Sequence, residues 1–470
     1  MVLGLAVIEV ALIFAALFAL LGRAAASGAA VIASPVLVSA AVTGTCAVAF
    51  YCCDVYDLRV ARSLRTYVPR LLKALGLVVL TLAVFEMLAP TRSLGMPLAR
   101  TLLVAALLPL AARALCYGVI RRRPHAQSVA ILGDGPLTRM LVREIALRPH
   151  LRWATGLVAD TPAGPSVPCA VLGRLDQLDR VLAGAPLHRI VVALDERRRA
   201  AVMAELLKAR GRGILVEDAV DVYERITGKL AIEALSPASL VFAKGFRIAR
   251  GSAAVGRALS LAVAAVGLVL TAPLLALIAL AVKLDSSGPV FFRQERIGLH
   301  GRRFWLVKFR TMRPVPEEVS LWVRDNEDRI TRVGRVLRTC RLDELPQFVN
   351  ILRGDMNLVG PRPHPVLNYE LFLQAIPYYA LRAAVRPGVT GWAQIRYGYA
   401  NSLEEETEKM RYDLYYVKHR SVWLDVRIVA DTLKMLLFEL GMPVAEAPPR
   451  LADPAPVAGE PYPAPTERAA

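Results

Sequence analysis

Cysteine pairing is the first thing missing. The 470-residue chain has six cysteines (Cys46, Cys52, Cys53, Cys116, Cys169 and Cys340) but no Cys-x-x-Cys. Neither a zinc site nor a disulfide framework is indicated, and small buried hydrophobes describe these residues better. No Tyr-x-x-x-Lys occurs either, which argues against a membrane-anchored nucleotide-sugar dehydratase or epimerase. Acidic residues are in deficit: 40 Asp and Glu against 58 Lys and Arg leave a net charge of +18. That balance excludes an acidic disordered chain and favours anionic partners. Nucleic acid is not among them, because no basic strand is interleaved with aromatics and long apolar runs are left unexplained.

Those runs are what the chain does have. Apolar residues make up 55% and charged residues still reach 21%, a mixture that joins a membrane section to soluble domains. Four stretches, Met1–Leu21, Val31–Cys53, Leu71–Ala89 and Pro97–Ile120, each approach the ~20 residues needed to cross hydrocarbon. Lys73, Glu86, Arg100 and Arg113 within them read as snorkelling or paired near helix ends. Glu9 and the lack of a basic n-region make the first stretch an anchor rather than a removed signal. Arg59, Arg62, Arg65 and Arg70, then Arg121–Arg123, place both ends of this bundle in the cytoplasm.

The expected fold is a membrane α-helical bundle (1–120), a Rossmann-like α/β domain (121–243) and a mixed, mainly α catalytic domain (244–441), followed by a disordered Pro/Ala-rich tail (442–470). In the α/β domain Gly133-Asp134-Gly135 follows a strand, but Thr138 replaces the third glycine of a dinucleotide motif. Asp160 could meet a ribose, though a purely structural or regulatory domain is the stronger reading. The catalytic domain opens on an uncharged run, 258–282, with Pro273 at its middle and cations on both flanks. This predicts a re-entrant helix-break-helix that enters and leaves by the cytoplasmic face.

Lys308-Phe309-Arg310 sets two cations at strand spacing, suited to a diphosphate unless the strand is simply solvated. Arg335 and Arg338 precede Arg341-Leu342-Asp343-Glu344-Leu345-Pro346-Gln347. A helix is expected to begin near Asp343–Glu344, burying Leu345, Phe348, Val349 and Leu352 and offering its N-terminus to phosphate. A simple cap is the plainer role for Asp343. The paired acids, the arginines upstream and the rigid turn Gly360-Pro361-Arg362-Pro363 argue for chemistry. Hydrated Mg²⁺ on a carboxylate and substrate phosphates fits this inventory, and two acids suit covalent phosphoryl transfer.

Taken together, KFRTM (Lys308–Met312), RLDELPQFVNILRGDMNLVGPRP (Arg341–Pro363) and RPGVTGWAQ (Arg386–Gln394), behind GPVFFRQERIG (Gly288–Gly298), resemble bacterial sugar transferases of the polyprenyl-phosphate phosphoglycosyl transferase superfamily. The bundle and α/β domain resemble its long members, and IRYGYANSLEEE (Ile395–Glu406) resembles the exopolysaccharide and exosortase branch. The resemblance implies a bacterial inner-membrane enzyme facing the cytoplasm that moves a sugar 1-phosphate from a UDP-sugar to polyprenyl phosphate with Mg²⁺, releasing UMP. It makes Asp343 the phosphoglycosylated nucleophile and a metal ligand, with Glu344 assisting. It sets Lys308, Arg338 and Arg362 at the diphosphate, where the strand spacing adds Arg310, and Arg386 and Gln394 at the nucleotide, with Pro273 structural. Two departures stand out: the usual Ser-Pro is Ala272-Pro273, where Thr271 could back-bond instead, and a usual aspartate is Ser260. Pairing of protomers through the bundle and α/β domain is compatible with the sequence, and a non-catalytic assembly scaffold is the remaining alternative.

Overall fold

The computed structural model describes residues 2–26, 35–56, 64–88, 107, 109–111, 127–151, 153–160, 169–184, 186–232, 250–313, 329–398 and 400–438. It divides into two compact units, Met1–Ala126 and Gln127–Ala470. In the first, α1 (Val2–Ala26), α2 (Pro35–Cys52) and α3 (Leu64–Leu88) follow the first three expected spans. Leu17, Cys46, Phe50, Tyr67 and Val78 form their shared core, while Val7, Leu37, Val48 and Leu80 face outward. Helices apolar on both sides suit hydrocarbon, and α2 has the length and hydropathy to cross a membrane. Apart from 107 and 109–111, the fourth expected span lies outside the described residues, as do Arg59, Arg62, Arg121–Arg123 and the tail 442–470.

The second unit begins with β1 (Gln127–Leu132), α4 (Pro136–Ala146), β2 (Trp153–Val158), β3 (Ala170–Gly173), α5 (Leu178–Gly184), β4 (Arg189–Val192), α6 (Glu196–Ala201), α7 (Met203–Gly211), β5 (Leu215–Asp218) and α8 (Ala219–Thr227). The five strands are parallel in the order β3-β2-β1-β4-β5. Val129 and Ile131 enter one apolar layer and Ala130 and Leu132 the other, as helices covering both faces require. Gly133 ends β1 at φ +124°, where a Cβ would stand 2.4 Å from the Ala193 carbonyl oxygen, so only glycine fits. Thr138, in place of the third glycine, is buried, and Asp160 accepts from Leu175 N at 3.3 Å.

One helix, α9 (Arg250–Asp285), carries Pro273 inside it. The helical assignment runs through Pro273 without dividing into two helices. Thr271 Oγ1 bonds Gly267 O at 2.7 Å, the expected back-bond and of the kind that accompanies bends in helices. Both ends of α9 are fixed on the same domain. Arg257 donates to Met356 O and Ile351 O, each at 2.7 Å, and Ser260 Oγ accepts from Leu358 N at 3.1 Å. At the other end Asp285 accepts from Val333 N at 3.1 Å, and Ile278 and Val282 pack on Phe309 and Leu337. The opposite side, with Val269 74% and Leu270 72% exposed, remains apolar and uncovered.

The rest is an antiparallel ribbon, β6 (Phe291–Ile297) and β7 (Arg303–Phe309), with α10 (Arg332–Thr339), α11 (Gln347–Arg353), β8 (Asn357–Val359), α12 (Val366–Ala375), β9 (Gly388–Thr390), α13 (Trp392–Arg396), α14 (Leu403–His419) and α15 (Val422–Phe438). The α/β layer docks directly on it. Glu224 accepts from Lys418 and His419, each at 2.7 Å, Lys229 pairs with Glu408, and Trp392 Nε1 donates to Gly228 O at 2.8 Å.

Candidate active site

Asp343 and Glu344 lie in a single 3-10 turn, Leu342–Glu344, entered through Arg341 at φ +52°. The expected helix starts four residues later, at Gln347, with Pro346 before it. Its buried face is Gln347, Asn350 and Ile351, while Leu352 is exposed. The reason is Asn350, which donates to Trp305 O at 2.7 Å and accepts from Val307 N at 3.1 Å, pinning that face to β7. The acid pair is therefore presented by a tight turn rather than by a helix N-terminus.

Both acids are 8% exposed. Arg362 closes on Glu344 Oε1 at 2.8 Å, placed there by the turn that follows β8. Lys308 lies on the same face of β7 as Phe304 and Leu306 and stands 5.1 Å over the Phe292 ring. Arg338, in the last turn of α10, has a buried Nη1 with no hydrogen-bond partner among the described residues. An idle buried guanidinium nitrogen is costly unless an anion arrives.

The charges respond to this crowding. Burial, with Glu344 adding to it, pushes the Asp343 carboxyl up to about 6 against the pull of Lys308, Arg362 and Arg338. Burial and Arg296 bring Lys308 down to about 8, against the pull of Asp343. Burial opposes the charge of Glu344 too, but Arg362, Arg341 and Lys308 together outweigh it and hold that carboxyl below the usual range. Glu344 is thus kept ionised, whereas Asp343 loses its proton only near pH 6.

Arg310, Arg386 and Gln394 are not brought to this pair. Arg310 turns back to Ser286 O at 2.7 Å and Ser286 Oγ at 2.9 Å, capping the end of α9. Arg386 donates to Gly354 O at 3.1 Å, at the end of α11 away from the acids. Gln394 donates to Val389 O at 3.1 Å, and its Oε1 is buried without a partner among the described residues. The strand between Arg386 and Gln394 also acts through its backbone: Gly388 N donates to Pro361 O at 3.0 Å and Gly360 N to Thr390 O at 2.9 Å, so β9 buttresses the Arg362 turn. Arg296, His364 and Arg382, absent from the sequence expectations, lie behind that turn. His364 directly follows Pro363 and was within reach of pattern reading; Arg382 carries no local signal.

Among the described residues no three His, Cys, Asp or Glu side chains converge as a metal cage. A hydrated Mg²⁺ needs only one or two carboxylates beside substrate phosphates. Asp343 fits that need, since it is a buried carboxylate beside the cations that would face those phosphates. On the other face of the ribbon lies a cavity of about 530 Å³ lined by Leu268, Leu275, Trp305, Val307, Pro346 and Val349.

An acid pair set among cations suits chemistry on phosphates, and the domain carries a helix long and apolar enough to cross a membrane. The chain belongs to the bacterial sugar transferase family. The family model matches residues 251–439. The chain is 35% identical over 315 residues, 66% of its length and 67% of the relative's, to the UDP-glucose:undecaprenyl-phosphate glucose-1-phosphate transferase of Escherichia coli (strain K12). It is 42% identical over 186 residues to the UDP-N-acetylgalactosamine-undecaprenyl-phosphate N-acetylgalactosaminephosphotransferase of Aeromonas hydrophila, covering 39% of this chain and 44% of that one. A UDP-glucose:undecaprenyl-phosphate glucose-1-phosphate transferase of Caulobacter vibrioides is 46% identical over 185 residues, 38% of this chain and 69% of the relative. The matched stretches thus span from under half to about two thirds of these relatives' lengths.

Proposed function

We propose that this chain transfers a sugar 1-phosphate from a UDP-sugar to undecaprenyl phosphate, the opening step of exopolysaccharide assembly, at the cytoplasmic face of a bacterial inner membrane. The observation that carries this reading is the buried Asp343–Glu344 pair with Lys308, Arg338 and Arg362 around it. Both substrates are anions, and a two-step route spares them direct collision. A carboxylate oxygen of Asp343 attacks the phosphorus that bears the sugar; the P–O bond to UMP breaks, and UMP leaves with the electron pair. An oxygen of the lipid phosphate then attacks the same phosphorus, and the bond to Asp343 breaks to regenerate the carboxylate. Glu344, kept ionised by the cations beside it, orients a monoanionic lipid phosphate or takes its proton. Arg338 and Arg362 hold non-bridging oxygens, where charge builds in both transition states. Bound Mg²⁺, held by Asp343 and the diphosphate, would supply neutralising charge.

The anchoring of both ends of α9 on one domain supports a helix lying in one leaflet, which keeps the acids on the side where UDP-sugars dissolve. The largely apolar cavity, which Arg293 and Arg353 also line, gives an isoprenoid chain room. The relatives' names differ in their sugar, so a panel of UDP-sugars with undecaprenyl phosphate and Mg²⁺ is the test. At least one should yield UMP, EDTA should stop its release, and Asp343→Asn should abolish it. A folded, membrane-inserted wild-type enzyme that releases no UMP from any of them contradicts the reading.

A further inference from the structure

Arg362 can meet Glu344 and a phosphate only if its backbone is held still, and a buried cluster behind it does that holding. Each carbonyl from Pro361 to Pro365 is engaged. Gly388 N donates to Pro361 O at 3.0 Å, Arg296 Nη1 to Pro363 O at 2.7 Å, Ile297 N to His364 O at 3.2 Å and Tyr369 N to Pro365 O at 2.9 Å. The carbonyl of Arg362 itself accepts from Arg382 Nη2 at 3.2 Å. Arg382 is 5% exposed and Asp413 1%. The two are joined by bonds from Nη2 and Nε to Asp413 Oδ2 at 2.7 and 2.9 Å.

The remaining nitrogen of Arg382, Nη1, donates to the Tyr379 hydroxyl at 2.5 Å and lies 3.1 Å from His364 Nδ1. Glu406 and Lys409 complete the cluster, paired at 3.1 Å. Two cations and two anions are thereby matched around a histidine whose charging is opposed by burial and by Arg382 and Lys409. A fork with every nitrogen engaged has a fixed orientation, unlike a lysine point charge.

We propose that Arg382, oriented by Asp413, is a positioning residue that clamps the Arg362 carbonyl and so aims the Arg362 guanidinium at Glu344 and the transferring phosphate. This rests on the reading of Asp343 as nucleophile, and it makes one demand on kinetics: Arg382 must act through Arg362. Misplacing a clamp by about 1 Å can cost on the order of 10²-fold in rate.

The test is a double-mutant cycle on the first turnover, read as the UMP burst from UDP-sugar and Mg²⁺ in the full-length enzyme. Arg382→Gln should slow the burst about 10–100-fold when Arg362 is present. On an Arg362→Ala background, whose own burst is slow but measurable, the same change should have an effect of less than about 2-fold, because coupled sites are not additive. If Arg382→Gln fails to fold, Arg382→Lys replaces it: it keeps a cation beside Asp413 but cannot reach the Arg362 carbonyl as well. Equal slowing in both backgrounds, or an undiminished burst with Arg362 present, overturns the proposal. A wild-type enzyme without any burst would instead overturn the two-step reading on which it rests.

Discussion

Asp343 faces opposed demands: burial penalises its charge, and the proposed nucleophilic role requires that charge. Its carboxyl in the folded chain titrates at about 6, above the value of 3.8 of a free side chain. A raised acid stabilises the fold fully only below its unfolded value, and that contribution is lost as pH rises through about 6. Asp343→Asn has no such loss. In metal-free buffer its advantage in melting temperature over the wild type should therefore grow between about pH 4 and 7 and level off above. At the plateau a gain on the order of 1–3 kcal/mol is expected alongside complete loss of UMP release. A melting difference that stays flat with pH would mean that Asp343 is not held up by its surroundings. Glu344→Gln should behave in the opposite way. It removes the anion that answers the buried Arg362 contact, so thermal stability should fall and turnover should drop by about 10²-fold if Glu344 moves a proton.

At this scale much of the site was legible in the sequence, because Asp343, Glu344, Lys308, Arg338 and Arg362 sit in short runs whose chemistry shows through their residue types. Arg310, Arg386 and Gln394 lie away from the acid pair. A cation beside a motif can equally cap a helix end, and carbonyls at the ends of α9 and α11 accept from the two arginines. Arg382 and Asp413 stayed hidden because they are 31 residues apart and meet only through tertiary packing.

Among the elements, β8 and β9 are the most exacting. Gly360, Gly388 and Gly391 lie backbone against backbone, and a Cβ at Gly388 would stand 2.1 Å from Gly360 N. A main-chain atom cannot step aside as a side chain can, so Gly388→Ala should cost about 1–3 kcal/mol through overpacking. Because the same ladder supports the Arg362 turn, the UMP burst should slow in parallel; a mutant melting like the wild type would show that the ladder gives way more easily than its geometry implies.

The helix α9 makes a second demand. With both ends bound to one domain, Val255→Cys and Ser287→Cys, in a background freed of native cysteines, should label from the same side of the membrane. Labelling from opposite sides would mean that α9 crosses. The sequence foresaw the cations that flank this helix and the back-bond from Thr271, but not the contacts that fix its two ends to one domain, because those join segments distant along the chain.

For the whole molecule, the α/β layer and the transferase domain share one compact unit, joined by Glu224 with Lys418 and His419, by Lys229 with Glu408 and by Trp392 with Gly228. None of these contacts touches the acids. A chain beginning near Ala243 should thus keep the first-turnover burst while losing melting temperature, because Lys418 and the Trp392 indole lose buried partners. The order of strands and helices in that layer was readable from alternating patterns, but its docking was not, because charge pairs between distant segments leave no periodic trace.

The central claim is that Asp343 carries the sugar phosphate, and intact-peptide mass spectrometry tests it most directly. Enzyme incubated with an accepted UDP-sugar and Mg²⁺, without lipid, should gain one sugar-phosphate mass on the peptide containing Asp343, and undecaprenyl phosphate should discharge it. No adduct on that peptide, together with UMP release that requires both substrates bound at once, would contradict the claim and leave Asp343 as a metal ligand in a direct transfer.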